Sequence, residues 1–353
     1  MWFSCDHLIF DVFRVCKVNY NSFIWSSMDN NTHKPISGEK YLHQNGIKAI
    51  KDGIKVSVEY SGEKSLKKPD WFKVPIPSGE NFISLKNRVQ KLNLSSVCEE
   101  SKCPNIAECW NHKTATLMVM GSICTRACKF CSVDTGNPNG WLDKDEPKNI
   151  AETIAFMSLN YVVLTSVDRD DLPDGGSSHI ARCVKASKIL SPDLTIEVLS
   201  PDFKGNLDHL NILFKSGLDV FSQNIETVKR LTRMVRDPRA GYGQTLRMLS
   251  YSSEKGFVTK SGMMLGHGEQ KHEVIQTMKD LSNSGVKILT LGQYLRPTKH
   301  HLPVKKYIHP DEFKEYSVIG SEIGIEEVVA GPLIRSSYRA DRSFINLEEK
   351  KHA

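Results

Sequence analysis

The stretch "TATLMVMGSICTRACKFC", residues 114–131, joins two signals in one place. Its first half, "TATLMVMG" (114–121), is an apolar run of strand length. Its second half puts three cysteines, Cys124, Cys128 and Cys131, into eight positions. Thiols so close can hold a metal, pair as disulfides or simply pack. In a parallel barrel the chemistry sits in the loops at the carboxyl ends of the strands. If 114–121 is the first strand of such a sheet, the cysteines stand where function is placed.

The residues that follow have the matching rhythm. Strand-like runs recur at 161–167, 194–200, 219–228, 259–266 and 287–295, for example "YVVLTSV" and "KILTLGQYL". Amphipathic segments such as "SHIARCVKASKIL" and "HEVIQTMKDLSNSG" lie between them. Six such alternations predict an α/β fold, a partial (β/α)6 TIM-like barrel over residues 114–324. Residues 60–113 form an N-terminal segment with a second group of cysteines, and residues 325–353 a C-terminal segment. Residues 1–59 read as an N-terminal extension, disordered or targeting.

The bulk composition narrows the classes. The chain has 353 residues, 25% charged and 39% hydrophobic, and no run of about 18 apolar residues, so no transmembrane helix is expected. A net charge of +6 with both signs interspersed lends no support to a nucleic-acid or membrane role. The apolar beginning of the chain is interrupted by Asp6 and Asp11, which suits neither a secretory signal nor an organelle transit peptide. Of nine cysteines, six fall into two triplets, while Cys5, Cys16 and Cys183 are scattered. That pattern fits metal or cluster ligation in a reducing compartment better than disulfides. Cys183, on an amphipathic segment, reads as buried and inert.

The triplets differ in spacing: Cys98, Cys103 and Cys109 are C-x4-C-x5-C, and Cys124, Cys128 and Cys131 are C-x3-C-x2-C. Zinc sites want four ligands, and neither triplet has a histidine at a suitable local spacing. A cubane of four irons takes one ligand per iron, so three cysteines leave one iron open for something else. On residues alone, packing cysteines for the second triplet and a zinc or structural site for the first stay open.

C-x3-C-x2-C after the first strand of a βα barrel resembles the radical S-adenosylmethionine enzymes. The blocks "CEESKCPNIAECW", "CTRACKFCSVDTGNP", "YVVLTSVDRDDLPDGG", "NIETV", "VRDPRAGYGQTL", "GQYLRPTKHHLPV" and "GPLIRSSYRA" resemble, in order, those of the lipoyl synthase family, from about residue 60 to 345. The resemblance implies a barrel of the radical S-adenosylmethionine type. It implies two 4Fe-4S clusters and S-adenosyl-L-methionine, whose cleavage yields a 5′-deoxyadenosyl radical able to break unactivated C–H bonds. Two sulfur atoms are then inserted at C6 and C8 of an octanoyl chain on a lysine of a lipoyl carrier domain. Cys124, Cys128 and Cys131 would hold the S-adenosylmethionine cluster. Cys98, Cys103 and Cys109 would hold an auxiliary cluster consumed as sulfur donor, with Ser337 as its fourth ligand. Phe130 would lie beside the adenine, Asn224 and Glu226 at the ribose, and Asp170, Asp171, Gly175 and Gly176 beside the methionine end. The partners implied are the glycine cleavage H protein and 2-oxoacid dehydrogenase E2 subunits as octanoylated carriers, an electron donor such as a ferredoxin, and an iron-sulfur delivery protein. The compartment implied is the mitochondrion.

Blander readings accompany several residues. "PDGG" is a good turn, Met263 and Met264 read as core filler, and His300 and His301 as solvated loop residues. Arg233, Arg236 and Arg239 read as surface charge or as a docking patch for an acidic carrier domain. Ile123, Ala127, Gln223, His267 and Arg296 depart from the family pattern. Two other functions compete: another two-cluster radical enzyme such as a methylthiotransferase, and a non-catalytic metal or iron-sulfur binding module.

Overall fold

In the computed structural model, residues 34–43, 45–53, 66–73, 77–92, 94–100 and 103–352 are described. The expectations for residues 1–33 lie outside them. Among the described residues twelve strands form two sheets. The small sheet starts with a hairpin, β1 (Lys40–Leu42) and β2 (Lys48–Ile50). The large sheet takes in β3 (Ser95–Ser96) and β4 (Thr114–Val119). Next come β5 (Ile123–Cys124) and β6 (Asp134–Gly136), which complete the small sheet in the order β1-β2-β6-β5.

The large sheet continues with β7 (Tyr161–Ser166), β8 (Thr195–Leu199), β9 (Val220–Ser222), β10 (Val258–Leu265), β11 (Ile288–Gln293) and β12 (Glu327–Gly331). Its order is β12-β11-β10-β9-β8-β7-β4-β3, parallel throughout except for β3 against β4. Neighbours along this sheet from β4 onwards follow chain order, as in a singly wound open barrel. The six expected strands are present, and β12 adds a seventh parallel one from the C-terminal segment.

Because parallel partners share a face, register identifies the inner wall. Thr116, Val163, Glu197 and Val220 form one row, and Met118, Thr165, Leu199, Ser222 and Lys260 the next. Lys260 reaches Glu197 across the intervening strand at 2.8 Å, and the Tyr161 hydroxyl donates to the same carboxylate at 2.8 Å. Lys260 and Glu197 are both fully buried. Removing one partner of such a pair strands a charge in the interior, which is strongly destabilising. The final helix, Ala340–His352, packs Ala340 and Phe344 on the inner-facing Tyr161, Val163 and Leu199. It thus covers part of the inner face of β7 and β8.

The N-terminal extension of the sequence reading needs correction from residue 35 onward. The hairpin is bolted to the buried Asp134: the Tyr41 hydroxyl and the Asp52 N–H donate to it, and Lys51 pairs with it at 3.3 Å. Ile47 and Ala49 pack on Ile123. Among the described residues no helix is long and apolar enough to cross a membrane.

Candidate active site

The second triplet begins where β5 ends and is gripped from several sides. Arg126 lies between Cys124 and Cys128 and is 2% exposed, so its guanidinium must find anions. It does: Nε and Nη2 donate to Asp170 at 2.9 Å each, Nη1 to Asp202 at 2.8 Å, and Asp168 stands 3.4 Å away. Asp237 holds the next residue, accepting the Ala127 N–H at 2.9 Å, while its own N–H points at the Cys128 thiol at 3.4 Å. Arg239 closes this group by bonding both Asp237 and Asp170. At the far end the buried His301 ring meets the Cys131 carbonyl at 2.9 Å and Thr298 on its other nitrogen.

The first triplet is built on the edge of β4, the strand that leads toward the second. Cys98 follows β3, which pairs with Leu117 and Met118, and Cys109 lies on α1 (Ile106–Asn111). Residues from the other end of the chain complete this site. The Asn105 amide donates to the Leu333 carbonyl at 2.6 Å, and the Tyr338 hydroxyl to Glu108 at 2.8 Å. A half-buried Arg335 stands beside Cys103, and desolvation pulls its pKa below the ordinary range. Ser337 therefore lies in the turn that crosses toward Cys103 and Cys109, and among the described residues no hydrogen bond engages its hydroxyl. That turn also needs Gly292: a Cβ there would lie 2.1 Å from the Ile334 carbonyl. The two sites touch where the Ser132 hydroxyl donates to the Glu100 carbonyl at 2.8 Å.

All six cysteines are free. Burial raises every described pKa among them: it pushes Cys109 to about 12, and burial with the neighbouring Cys131 pushes Cys128 to about 12. The thiols are therefore protonated until a metal takes the thiolates, and loading releases protons. Neither triplet brings three donor atoms within 4.8 Å of one another, a condition met among the described residues by Glu146, His179 and Cys183. A spread of thiols suits irons that each take one ligand better than a single zinc ion.

Polar groups at the carboxyl end of the strands stand ready for a ligand. Ser222 Oγ, Asn224 Oδ1, both polar atoms of the Gln223 side chain and both ring nitrogens of His267 are buried without a hydrogen-bond partner. Buried orphans of this density are unusual away from a binding site. Gly262 makes room for Asn224, whose Oδ1 would lie 2.8 Å from a Cβ at that position. Glu226 takes a positive φ of 68°, and burial raises its carboxyl above the usual range. Phe130 packs partly buried against the core.

A family model for the Radical SAM superfamily matches residues 118–281, and one for the N-terminal domain of lipoyl synthase of the Radical SAM family matches residues 41–103. The chain is 55% identical over 311 residues to the lipoyl synthase of Marinobacter nauticus, covering 87% of this chain and 89% of that one. It is 55% identical over 310 residues to that of Legionella pneumophila strain Paris, covering 87% and 94%. To that of Ectopseudomonas mendocina it is 53% identical over 319 residues, covering 90% and 91%. The chain belongs to the lipoyl synthase family. It is a radical S-adenosylmethionine enzyme, and that class implies S-adenosylmethionine and a 4Fe-4S cluster.

Within this lipoyl synthase family member the expected site residues have protein partners of their own. Asp170 and Asp171, read as contacts of the methionine end, have their carboxylates in ion pairs, Asp170 with Arg126 and Arg239 and Asp171 with Arg169. Gly175 and Gly176 have positive φ, and Cβ atoms there would strike Phe203 at 2.9 Å and Met120 at 2.1 Å, so both serve backbone packing. Arg236 is buried and donates to Thr245, so Arg233, Arg236 and Arg239 do not form one surface patch. His301 is buried and not solvated. Ala127 has no positive φ, so the absent glycine costs nothing there. Arg126, Asp202, Asp237 and His301 were not singled out as site residues. Arg126 alone had a local signal, an arginine trapped between two cysteines.

Proposed function

We propose that this chain holds two 4Fe-4S clusters and inserts sulfur at C6 and C8 of an octanoyl chain borne on a lysine of a lipoyl carrier domain. The observation that carries the reading is that both triplets hang on β4, one at its edge and one beyond its carboxyl end, with the Ser337 turn laid over the first. Bound S-adenosylmethionine supplies the oxidising power to break a C–H bond that no acid or base can attack. The auxiliary cluster is a co-substrate, giving up sulfide.

On this reading Cys124, Cys128 and Cys131 ligate one cluster, and Arg126, Asp237 and His301 fix the loop that bears them. Cys98, Cys103, Cys109 and Ser337 ligate the other. A serine oxygen is a harder partner for iron than thiolate, which suits a cluster that is dismantled. Asn224 and Glu226 orient the ribose of the cofactor, with Asn224 Oδ1 as an acceptor lacking a donor until it binds. The carriers are the glycine cleavage H protein and E2 subunits of 2-oxoacid dehydrogenases. A ferredoxin-type donor provides electrons, an iron-sulfur delivery protein restores the spent cluster, and the compartment is mitochondrial.

The test is anaerobic turnover of reconstituted full-length protein with an octanoyl-lysine peptide, S-adenosylmethionine and dithionite, followed by mass spectrometry. Two added sulfurs per peptide, with about eight irons per chain at the start, is the expected result. Iron near four with zinc at the first triplet, or 5′-deoxyadenosine without sulfur in the peptide, rejects it.

A further inference from the structure

Glu146 opens α2 (Glu146–Met157), and its side chain is buried. Its carboxylate accepts the Met120 N–H at 2.8 Å and the Gly121 N–H at 3.3 Å. Those two residues lead out of β4 and stop three positions short of Cys124. Met120 has φ 69° and Gly121 φ 79°. The N–H groups of these two positive-φ residues converge on one carboxylate, which satisfies both donors at the strand exit. Methionine is strained in that conformation, so something outside the turn must hold it there.

The holder has a second layer. His179, on α3 (Ser177–Leu190), sits with Nε2 2.6 Å from the Glu146 carboxylate, and Arg182 lies 3.1 Å from Nδ1 of the same ring. The same first turn of α3 meets Met120 again, since Gly176 leaves room only for the Met120 sulfur. Cys183, one helical turn on, closes the cluster and is fully buried.

Glu146, His179 and Cys183 bring three donor atoms within 4.8 Å, which invites a metal. The hydrogen bonds argue otherwise. A histidine that binds metal through Nε2 carries its hydrogen on Nδ1. Arg182 can only donate, so Nδ1 here must accept, and Nε2 carries the hydrogen given to Glu146. The carboxylate is then already engaged by three donors.

We propose that Glu146 and His179 are positioning residues that lock the exit of β4 and thereby set where the Cys124–Cys131 loop stands relative to bound S-adenosylmethionine. The experiment compares His179→Leu with His179→Gln, whose amide can still donate to Glu146, in anaerobically reconstituted full-length protein. Hydrogen exchange at Met120 and Gly121 is read in the protein before cluster loading. The change that S-adenosylmethionine makes in the electron paramagnetic resonance signal of the reduced cluster is read after it.

With leucine, exchange at these amides should quicken about tenfold and the half-saturating S-adenosylmethionine concentration should rise about tenfold, the size of one lost hydrogen bond to a charged group. Iron content should hold. Glutamine should restore both readouts to within about threefold of the parent. Leucine and glutamine behaving alike in both readouts would overturn the assignment. So would one zinc per chain that disappears with His179, which would make the cluster a metal site. If His179→Leu does not fold, Glu146→Gln against Glu146→Asp gives the same reading, with slower exchange expected for the variant that keeps the charge.

Discussion

The two cysteine triplets hang on the same strand and are held in opposite ways. Cys124, Cys128 and Cys131 occupy one short loop pinned by side chains from many elements, including Arg126 to three aspartates, Asp237 to Ala127 and His301 to Cys131. Cys98, Cys103 and Cys109 are seated mostly by burial, and their surroundings are finished by a turn more than 200 positions away, through Asn105 to Leu333 and Tyr338 to Glu108. One site is rigid by local electrostatics, and the other is assembled from two ends of the chain. That contrast suits the proposed pair, a centre that is reused beside one that is spent and rebuilt.

The largest effect expected from breaking the contrast is at the thiols. Cys124→Ala should abolish 5′-deoxyadenosine formation by more than about 100-fold while about four irons remain, and Cys98→Ala should spare that cleavage and end sulfur insertion. Iron assay and product analysis decide, and loss of all iron in either variant would show the sites to be interdependent.

Arg126→Leu comes next. It leaves Asp168, Asp170 and Asp202 facing one another in a buried space, a loss of about 3–5 kcal/mol, so the thermal midpoint should fall steeply under anaerobic conditions. Near-parental stability would mean that the second triplet is not held electrostatically.

Removing the hydroxyl in Tyr338→Phe frees the distal turn while leaving the local loop untouched. Sulfur insertion should drop about tenfold, as for one lost bond to a carboxylate, with cofactor cleavage unchanged. An equal fall in both would tie the turn to the whole fold rather than to the first triplet.

The smallest effect lies at His267, whose pKa burial lowers to about 3. Because the unfolded chain titrates near 6.5, it takes up a proton that the folded chain refuses. Stability is therefore full above about pH 6.5 and is lost toward pH 3 at about 1.4 kcal/mol per unit. His267→Leu should remove about 1 kcal/mol of the loss between pH 7 and pH 5.5 in urea unfolding. An identical loss in parent and variant would place the acid sensitivity elsewhere.

What could be read in advance follows the same division. The six barrel strands announced themselves through nearly unbroken apolar runs, interrupted by inner-face groups such as Glu197 and Lys260, because a strand covered on both faces shows little alternation. The C-x3-C-x2-C loop was legible because all its ligands are neighbours in sequence. The partners of Arg126, at 168, 170 and 202, were not, since only closure of the barrel brings three strand ends together. Asp170 and Asp171 were assigned to the cofactor by resemblance to the family block, and their pairing with Arg126 and Arg169 could not be read from "DDLPDGG". β12 escaped notice for another reason: "EVVAG" is five residues long and half-buried, too short to stand out from a loop. The β1–β2 hairpin is stable because Asp134, more than 80 positions later, anchors it.

The helix Ala340–His352 lies against Tyr161 and Val163 of β7, on the inner face of the sheet. During translation every strand of the barrel is made before this helix exists. That inner face therefore lacks this cover until synthesis has passed the Ser337 turn, which lies just ahead of the helix. The surroundings of Cys98, Cys103 and Cys109 are thus completed later in synthesis than the side chains that pin Cys124, Cys128 and Cys131, which all lie at or before His301.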